Sequence, residues 1–313
     1  MSEAGAPIWT AHAPGSLMCM GEHAVLHGKR ALVCAVNRRL HATIEGRRDR
    51  LIRITSDLGE DAAPLDALPD RPPFRFVWAT LRAHAPYLTA GCDIHLHAEF
   101  SATIGLGSSA AVTVALTAAL RAHEARAVDR WTVFEEARRI IRSVQRGGSG
   151  ADTAASVFGS LLEYRADPIK IEPLHATHPI TVLYSGYKTP TPDVIAHVET
   201  ERSRRPALFE GFFFEIDEAV RDAVDAICRD NWAELGLLLD RNQALLVAIG
   251  VSDPTLGAMV SALRADPAIL GAKISGAGLG DCVLGLGHAQ TKAIPYEQIP
   301  CAITQEGVKI EQA

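Results

Sequence analysis

The stretch Ile104-Gly105-Leu106-Gly107-Ser108-Ser109-Ala110-Ala111 leads directly into Val112-Thr113-Val114-Ala115-Leu116-Thr117-Ala118-Ala119-Leu120. Two glycines and two serines stand before a run of small and apolar helix formers. Glycine opens backbone conformations closed to other residues, so consecutive N–H groups can point into one concavity. A serine ahead of an apolar-periodic run marks a helix start, its oxygen accepting from an otherwise unpartnered N–H. A helix N-terminus with little side-chain bulk and a partial positive charge is an anion site. The stretch therefore predicts a loop and helix start that admit a polyphosphate to the backbone. The same residues also suit a tight turn with a close helix contact. The pattern is neither a P-loop, which needs Gly-Lys-Ser/Thr, nor a Gly-x-Gly-x-x-Gly dinucleotide fingerprint. The remaining motifs decide between these readings.

Composition narrows the class. The chain has 313 residues, 48% of them hydrophobic and 22% charged, which suits a globular protein of two ordinary domains. A formal net charge of −6 argues against a general nucleic-acid surface, though not against a local basic pocket. The cysteines, at 19, 34, 92, 228, 282 and 301, form no CxxC pair and no metal-ligand spacing. They read as reduced thiols, mostly buried. With no basic-then-apolar leader and no long apolar run, the expected location is cytoplasmic, with no membrane partner.

Along the chain, Ile8 to Gly28 reads as a strand, a turn at Pro14-Gly15 and a second apolar stretch before Gly21-Glu22-His23-Ala24-Val25. Strands are expected at Ala31–Val36 and Arg39–Glu45, a surface loop over 56–73, a helix over Phe74–Ala85 and a strand over Asp93–Glu99. Helices follow over Thr132–Val144, which carries Arg138, Arg139 and Arg142, and from Thr153 to Val157. Ser160–Tyr164 reads as a strand and Pro168–His178 as irregular. The domain boundary is placed there, giving units 1–178 and 179–313. In the second unit Ile180–Ser185 and Val283–Leu286 read as strands. Asp193–Arg202, Gly211–Arg229, Trp232–Ile249 and Leu256–Leu263 read as helices.

Two further glycine loops join the first: Gln145-Arg146-Gly147-Gly148-Ser149-Gly150-Ala151-Asp152 and Ser275-Gly276-Ala277-Gly278-Leu279-Gly280-Asp281-Cys282. Together the three converge on phosphate chemistry. Phosphoryl transfer needs backbone donors for the phosphates, Mg2+ to neutralise charge, and a group that orients or deprotonates the acceptor. Ser108 or Ser109 can offer Mg2+ a hydroxyl, since that ion takes hard oxygen ligands. Asp152, behind a glycine turn at a helix start, is the best-placed acid.

In order and spacing, Pro14-Gly15…Gly21-Glu22-His23-Ala24-Val25, Gly105-Leu106-Gly107-Ser108-Ser109-Ala110-Ala111 and Ser275-Gly276-Ala277-Gly278…Gly280-Asp281-Cys282 resemble the three signature motifs of the GHMP kinases. The first motif is similar to mevalonate kinases. The middle segment Gly148-Ser149-Gly150-Ala151-Asp152-Thr153, the third motif and Tyr184-Ser185-Gly186…Lys188-Thr189-Pro190-Thr191 lean toward phosphomevalonate kinases. The whole most resembles the short phosphomevalonate kinases of some proteobacteria.

The resemblance implies an α+β fold. Its N-terminal domain is like domain 2 of ribosomal protein S5, its C-terminal domain is ferredoxin-like, and homodimers are common in the family. It implies ATP and Mg2+ as cofactors and a small-molecule substrate. The implied reaction phosphorylates (R)-5-phosphomevalonate, with mevalonate as the alternative acceptor and a catalytically silent nucleotide-binding regulator as a third reading. By the same resemblance, the ATP phosphates lie on 104–111, at Gly105, Leu106, Gly107, Ser108, Ser109 and Ala110, with Ser109 toward the metal. Asp152 is the catalytic carboxylate, and Lys188, a point charge near the acceptor, is read as its catalytic partner in place of the family's first-motif lysine. Glu22, His23, Arg146, Ser149, Gly276, Ala277 and Gly278 contact the acceptor, and Arg142 is a lesser candidate for its phosphate. Two departures stand out. Ser16 occupies the position where both kinase groups carry lysine, and Ile141 the position where mevalonate kinases carry a metal-binding glutamate.

Overall fold

The computed structural model describes residues 7–290 and 294–312. Strand β1 (Trp9–Met20) runs straight through Pro14-Gly15, where a turn was expected. Its antiparallel partner β2 (Ala31–Gly46) is one strand that joins both expected pieces. The register jumps at the proline, from Pro14 opposite Arg39 to Gly15 opposite Val36. Such a bulge absorbs the missing proline N–H without ending the strand.

β3 (Leu51–Ser56) and β4 (Gly59–Pro64) form a hairpin, so the stretch read as a surface loop opens with an edge strand. Only Ala63 of β4 is buried, which is why no apolar alternation betrays it. After α1 (Arg75–His84), β5 (Cys92–Ala98) leads to α2 (Ser108–His123), α3 (Arg130–Gln145) and α4 (Ala151–Phe158). β6 (Leu161–Ala166) pairs with β7 (Ile169–Pro173), a second edge strand inside a segment expected to be irregular.

The first sheet runs β12-β1-β2-β5-β3-β4, with β6 and β7 attached through β2 and β12 being Lys309–Gln312. The β3–β5 pairing is parallel and the others are antiparallel. Helix α2 lies on β1 and β2 and is buried on nearly every face. Its alanines permit that close approach.

The second sheet is four-stranded and antiparallel: β8 (Ile180–Tyr184), β9 (Gly271–Ser275), β10 (Cys282–Leu286) and β11 (Glu297–Ile299), in spatial order β11-β8-β10-β9. That order is the ferredoxin-like one anticipated for this half. Between β8 and β9 come α5 (Thr191–Arg204), α6 (Pro206–Cys228), α7 (Trp232–Ala248) and α8 (Pro254–Arg264). The change of sheet falls between β7, which ends at Pro173, and β8, which begins at Ile180, but the chain does not stay in the second unit. Residues after β11 return to the first sheet, where Ile303 bridges Val36 and β12 pairs with β1.

The cysteines are all free, with Cys228 exposed and Cys301 half-buried. Among the described residues no helix is long and apolar enough to cross a membrane.

Candidate active site

The cleft between the two sheets collects all three glycine loops. The first joins β5 to α2. Gly107 is the N-cap of α2 in the left-handed region (φ 64°), and no side chain caps the helix. The serine cap expected from the sequence does not form: Ser108 Oγ donates instead to the Ala102 carbonyl at 3.2 Å. The first turn of α2 therefore presents backbone N–H groups and the positive end of the helix dipole to the cleft. Leu106 is buried, and its carbonyl accepts the Ser16 N–H at 3.0 Å. Its contribution to the loop is backbone, not side chain. Gly107 lies so close over Ser16 that a Cβ would collide with the Ser16 hydroxyl.

Asp152 opens α4 behind Gly150, also left-handed (φ 92°). Ser149 shapes this turn: its Oγ accepts the Ala151 N–H at 3.2 Å, and its carbonyl accepts from the Tyr164 hydroxyl at 2.6 Å. Asp152 Oδ1 accepts a 2.8 Å hydrogen bond from the buried Ser16 hydroxyl. Loss of solvent raises the Asp152 pKa, against the Ser16 hydrogen bond and the positive charge of Lys188; the Asp281 carboxylate adds to the rise. Lys188, in the β8–α5 loop, holds its Nζ 3.0 Å from Asp281 Oδ2. Asp281 is raised by burial too, with Lys188 again opposing. Ser16, Asp152, Lys188 and Asp281 thus form one polar cluster, drawn from four separate parts of the chain.

The first motif follows β1. Glu22 lines the cleft, but its Oε1 is paired with Lys273 Nζ of β9, and both side chains are almost completely buried. Lys273 also donates to the Ile274 carbonyl. Burial pushes Glu22 up despite that partner. His23, itself at positive φ (61°), sets Nε2 2.8 Å from the Ala277 carbonyl. A carbonyl only accepts, so Nε2 carries the proton. Burial lowers the His23 pKa and favours the neutral ring. Both residues fasten the first motif to the third glycine loop. In that loop Gly276 and Ala277 line the cleft, whereas Gly278 backs onto Val251.

The arginines sort differently from expectation. Arg146 is the left-handed C-cap of α3 and lines an adjoining cavity rather than the central cleft. Arg138 and Arg142, one helical turn apart, line both. Arg138 is engaged with the Ser149 and Ala166 carbonyls, which leaves Arg142 as the more available cation at the cleft wall. Sequence reasoning ranked it below Arg146. Their i, i+4 spacing with Ile141 and Gln145 on the same side was the signal.

Sequence reading also missed an apolar cavity on the other side of the α2 start. Phe74, Val77, Leu96, Phe100 and Val112 line it, and Ser108 and Ser109 border both cavities.

The donor set suits Mg2+. Ser109 offers a hydroxyl and Asp152 and Asp281 offer carboxylates; Asp281 Oδ1 is buried without a hydrogen-bond partner among the described residues. Mg2+ takes one or two carboxylates plus substrate phosphates and keeps several waters. Among the described residues no cluster of three or more His, Cys, Asp or Glu would hold a metal by itself. Ile141 lies in the cleft wall and supplies no ligand.

Known proteins match this arrangement over its length. The family models for the GHMP kinase N-terminal and C-terminal domains match residues 74–160 and 223–296. The mevalonate kinase of Archaeoglobus fulgidus is 33% identical over 302 residues, 96% of this chain and 99% of that one. Among solved structures, Methanococcus jannaschii mevalonate kinase superposes with a TM-score of 0.80 at 20% identity, covering 94% of this chain and 98% of that chain. Streptococcus pneumoniae phosphomevalonate kinase, solved with phosphomevalonate and AMPPNP, reaches 0.79 at 20% identity over 94% and 99%. With its motifs, fold and full-length relatives in agreement, the chain belongs to the GHMP kinase family.

Proposed function

We propose that this kinase transfers the γ-phosphoryl group of MgATP to the 5-hydroxyl of (R)-mevalonate, giving 5-phosphomevalonate and ADP. The observation that carries the reading is Asp152: a carboxylate of raised pKa, aimed by the Ser16 hydroxyl and faced by Lys188. An acceptor alcohol must lose a proton as it attacks, and a positioned base of this kind takes it. An acceptor phosphate, with a second pKa near 6, is largely deprotonated at neutral pH and makes no such demand. The full-length likeness to a mevalonate kinase and the motif Gly21-Glu22-His23-Ala24-Val25 support the same acceptor. This reverses the preference that the middle and third motifs suggested.

On this reading the nucleotide base enters the apolar cavity and the phosphates cross Ser108 and Ser109 to the α2 N-terminus. Ser109 and Asp152 are the residues that would hold Mg2+, which when bound neutralises phosphate charge. Asp152 accepts the hydroxyl proton while the O–P bond forms and the bond to ADP breaks. Lys188 balances the charge that gathers beside the two carboxylates. Arg142 pairs with the acceptor carboxylate.

The second reading, phosphomevalonate kinase, is favoured by Arg142 and Arg146 on neighbouring cavities, where a second anion would find a guanidinium. Coupled ADP release with (R)-mevalonate and (R)-5-phosphomevalonate, offered separately, tests the choice. Turnover on mevalonate is expected. Turnover on the phosphorylated acid alone refutes the proposal in favour of the second reading. ATP binding without turnover on either would favour the silent regulator.

A further inference from the structure

Asp281 sits where the third glycine loop has no evident need for a side chain. Gly276, Gly278 and Gly280 all have positive φ, and so do two residues with a Cβ, Leu279 at 53° and Asp281 at 78°. That region is unfavourable for residues with a Cβ, and glycine would fill it without strain. A non-glycine residue held there points to work for its side chain. The surroundings show what that work is. The Asp281 carboxylate lies against the phosphate loop, where a Cβ on Gly105 would collide with it. It also meets Lys188 Nζ at 3.0 Å, and Lys188 faces Asp152.

The backbone around Lys188 is already fastened. Asp281 N–H donates to the Tyr187 carbonyl at 2.8 Å, and Ser185 N–H donates to the Asp281 carbonyl at 3.0 Å. Thr189 Oγ1 donates to the Leu279 carbonyl at 2.5 Å. These bonds fix the lysine Cα but not its ammonium, which stands at the end of a long, partly exposed stem with much rotamer freedom to lose. The ion pair with Asp281 fixes the tip. Ser16, meanwhile, gives Asp152 a hydrogen bond but no positive charge.

We infer that Asp281 is a positioning residue: braced on the phosphate loop at Gly105, it holds the Lys188 ammonium beside Asp152, supplying from the second domain the cation that Ser16 does not provide. The inference rests on the reading of this cleft as the phosphoryl-transfer site. It makes the third glycine loop and the β8–α5 loop one unit, whose product is the location of a single charge. The loop glycines allow the close approach, and Asp281 converts that approach into a fixed ammonium.

The test compares Asp281→Gly, Asp281→Asn, Lys188→Ala and the double variant Asp281→Asn/Lys188→Ala, using whichever acceptor the wild type turns over. Asp281→Gly removes both the carboxylate and the backbone strain, so its thermal midpoint should equal or exceed that of the wild type. Its kcat should nonetheless fall by between about tenfold and about a hundredfold, the scale of a displaced catalytic group, with the KM for ATP changed less. Asp281→Asn, which keeps the side-chain shape, should lose a similar share of kcat and covers the case in which the glycine variant fails to fold. Because Asp281 acts through Lys188, the double variant should be no slower than Lys188→Ala alone. Retention of kcat within about twofold by either Asp281 variant overturns the inference, and so does simple multiplication of the two single losses. Asp152→Asn run alongside separates the two levels. If that variant keeps full turnover, the reading of the site fails first.

Discussion

Replacing Lys273 by methionine probes the seam between the two domains. The side chain is completely buried, and its partner Glu22 is nearly so. Methionine keeps much of the length and apolar bulk, so packing is largely preserved. What disappears is the ammonium, and Glu22 is left as an unpaired buried carboxylate whose Oε2 already has no hydrogen-bond partner among the described residues. Removing one member of a buried pair costs about 3–5 kcal/mol. The loss should depend on pH, and its sign follows from Glu22. Burial already raises its pKa in the folded state, and Lys273 is the largest influence opposing that rise. Without the lysine the folded pKa climbs further. A carboxyl raised on folding contributes stability at low pH, and that contribution is lost as pH rises toward the folded value. The variant should therefore be closest to wild type near pH 5 and furthest near pH 8. The slope of the difference should not exceed about 1.4 kcal/mol per pH unit, the limit for one proton. Urea unfolding at both pH values, followed by tryptophan fluorescence, reads this directly. Adding Glu22→Gln to Lys273→Met should recover most of the loss at pH 8, because no buried charge remains. A single-variant loss below about 1 kcal/mol, or an equal loss at both pH values, would refute the reasoning.

Three other predictions concern the chemistry. Asp152→Asn should lower kcat by about 10²–10⁴-fold, the scale of general base catalysis, with the KM for ATP little changed. Since Lys188 lowers the Asp152 pKa against its burial, Lys188→Ala should move the acid limb of the kcat–pH profile to higher pH; an unmoved limb would mean that the two groups do not interact. Gly107→Ala combines positive φ with a collision at the Ser16 hydroxyl, so it should weaken binding of a non-hydrolysable ATP analogue by about tenfold or more. Calorimetric affinity within about twofold of wild type would contradict the assigned loop.

Local signals carried most of the fold. The run after Ser109 is small, apolar and unbroken, and α2 follows it; α3 shows the period expected of a half-buried helix. The glycines before Asp152 marked the start of α4. Edge strands escaped because water satisfies their outer faces. β4 buries only Ala63, and β7 buries none of its residues completely. The serine cap misled because glycine at the preceding position shifted the helix start and turned Ser108 toward Ala102. In the site, Asp152 and Lys188, singled out from their own neighbours, both line the cleft. The Glu22–Lys273 pair was not legible, since its partners lie 251 residues apart and nothing local in either reports the other. Arg146 looked suitable from its place beside the glycines, yet the left-handed turn at the end of α3 carries it out of the cleft.

The strand β12 changes how this protein can be assembled. Its residues Lys309–Gln312 close the edge of β1, and just before them Gly307 fits tightly beneath the last turn of α4, where Val308 N–H donates to the Val157 carbonyl. The helix that carries Asp152 in its first turn is thus seated at its far end by residues made long after it. A ribosome that has released only the first 178 residues has produced every strand of the first sheet except the one that covers β1. Until the second domain has been synthesised, that edge is open to any other extended chain. The unit that looks like an N-terminal domain is therefore a late product of translation, and a fragment cut at the change of sheet should associate rather than remain a monomer.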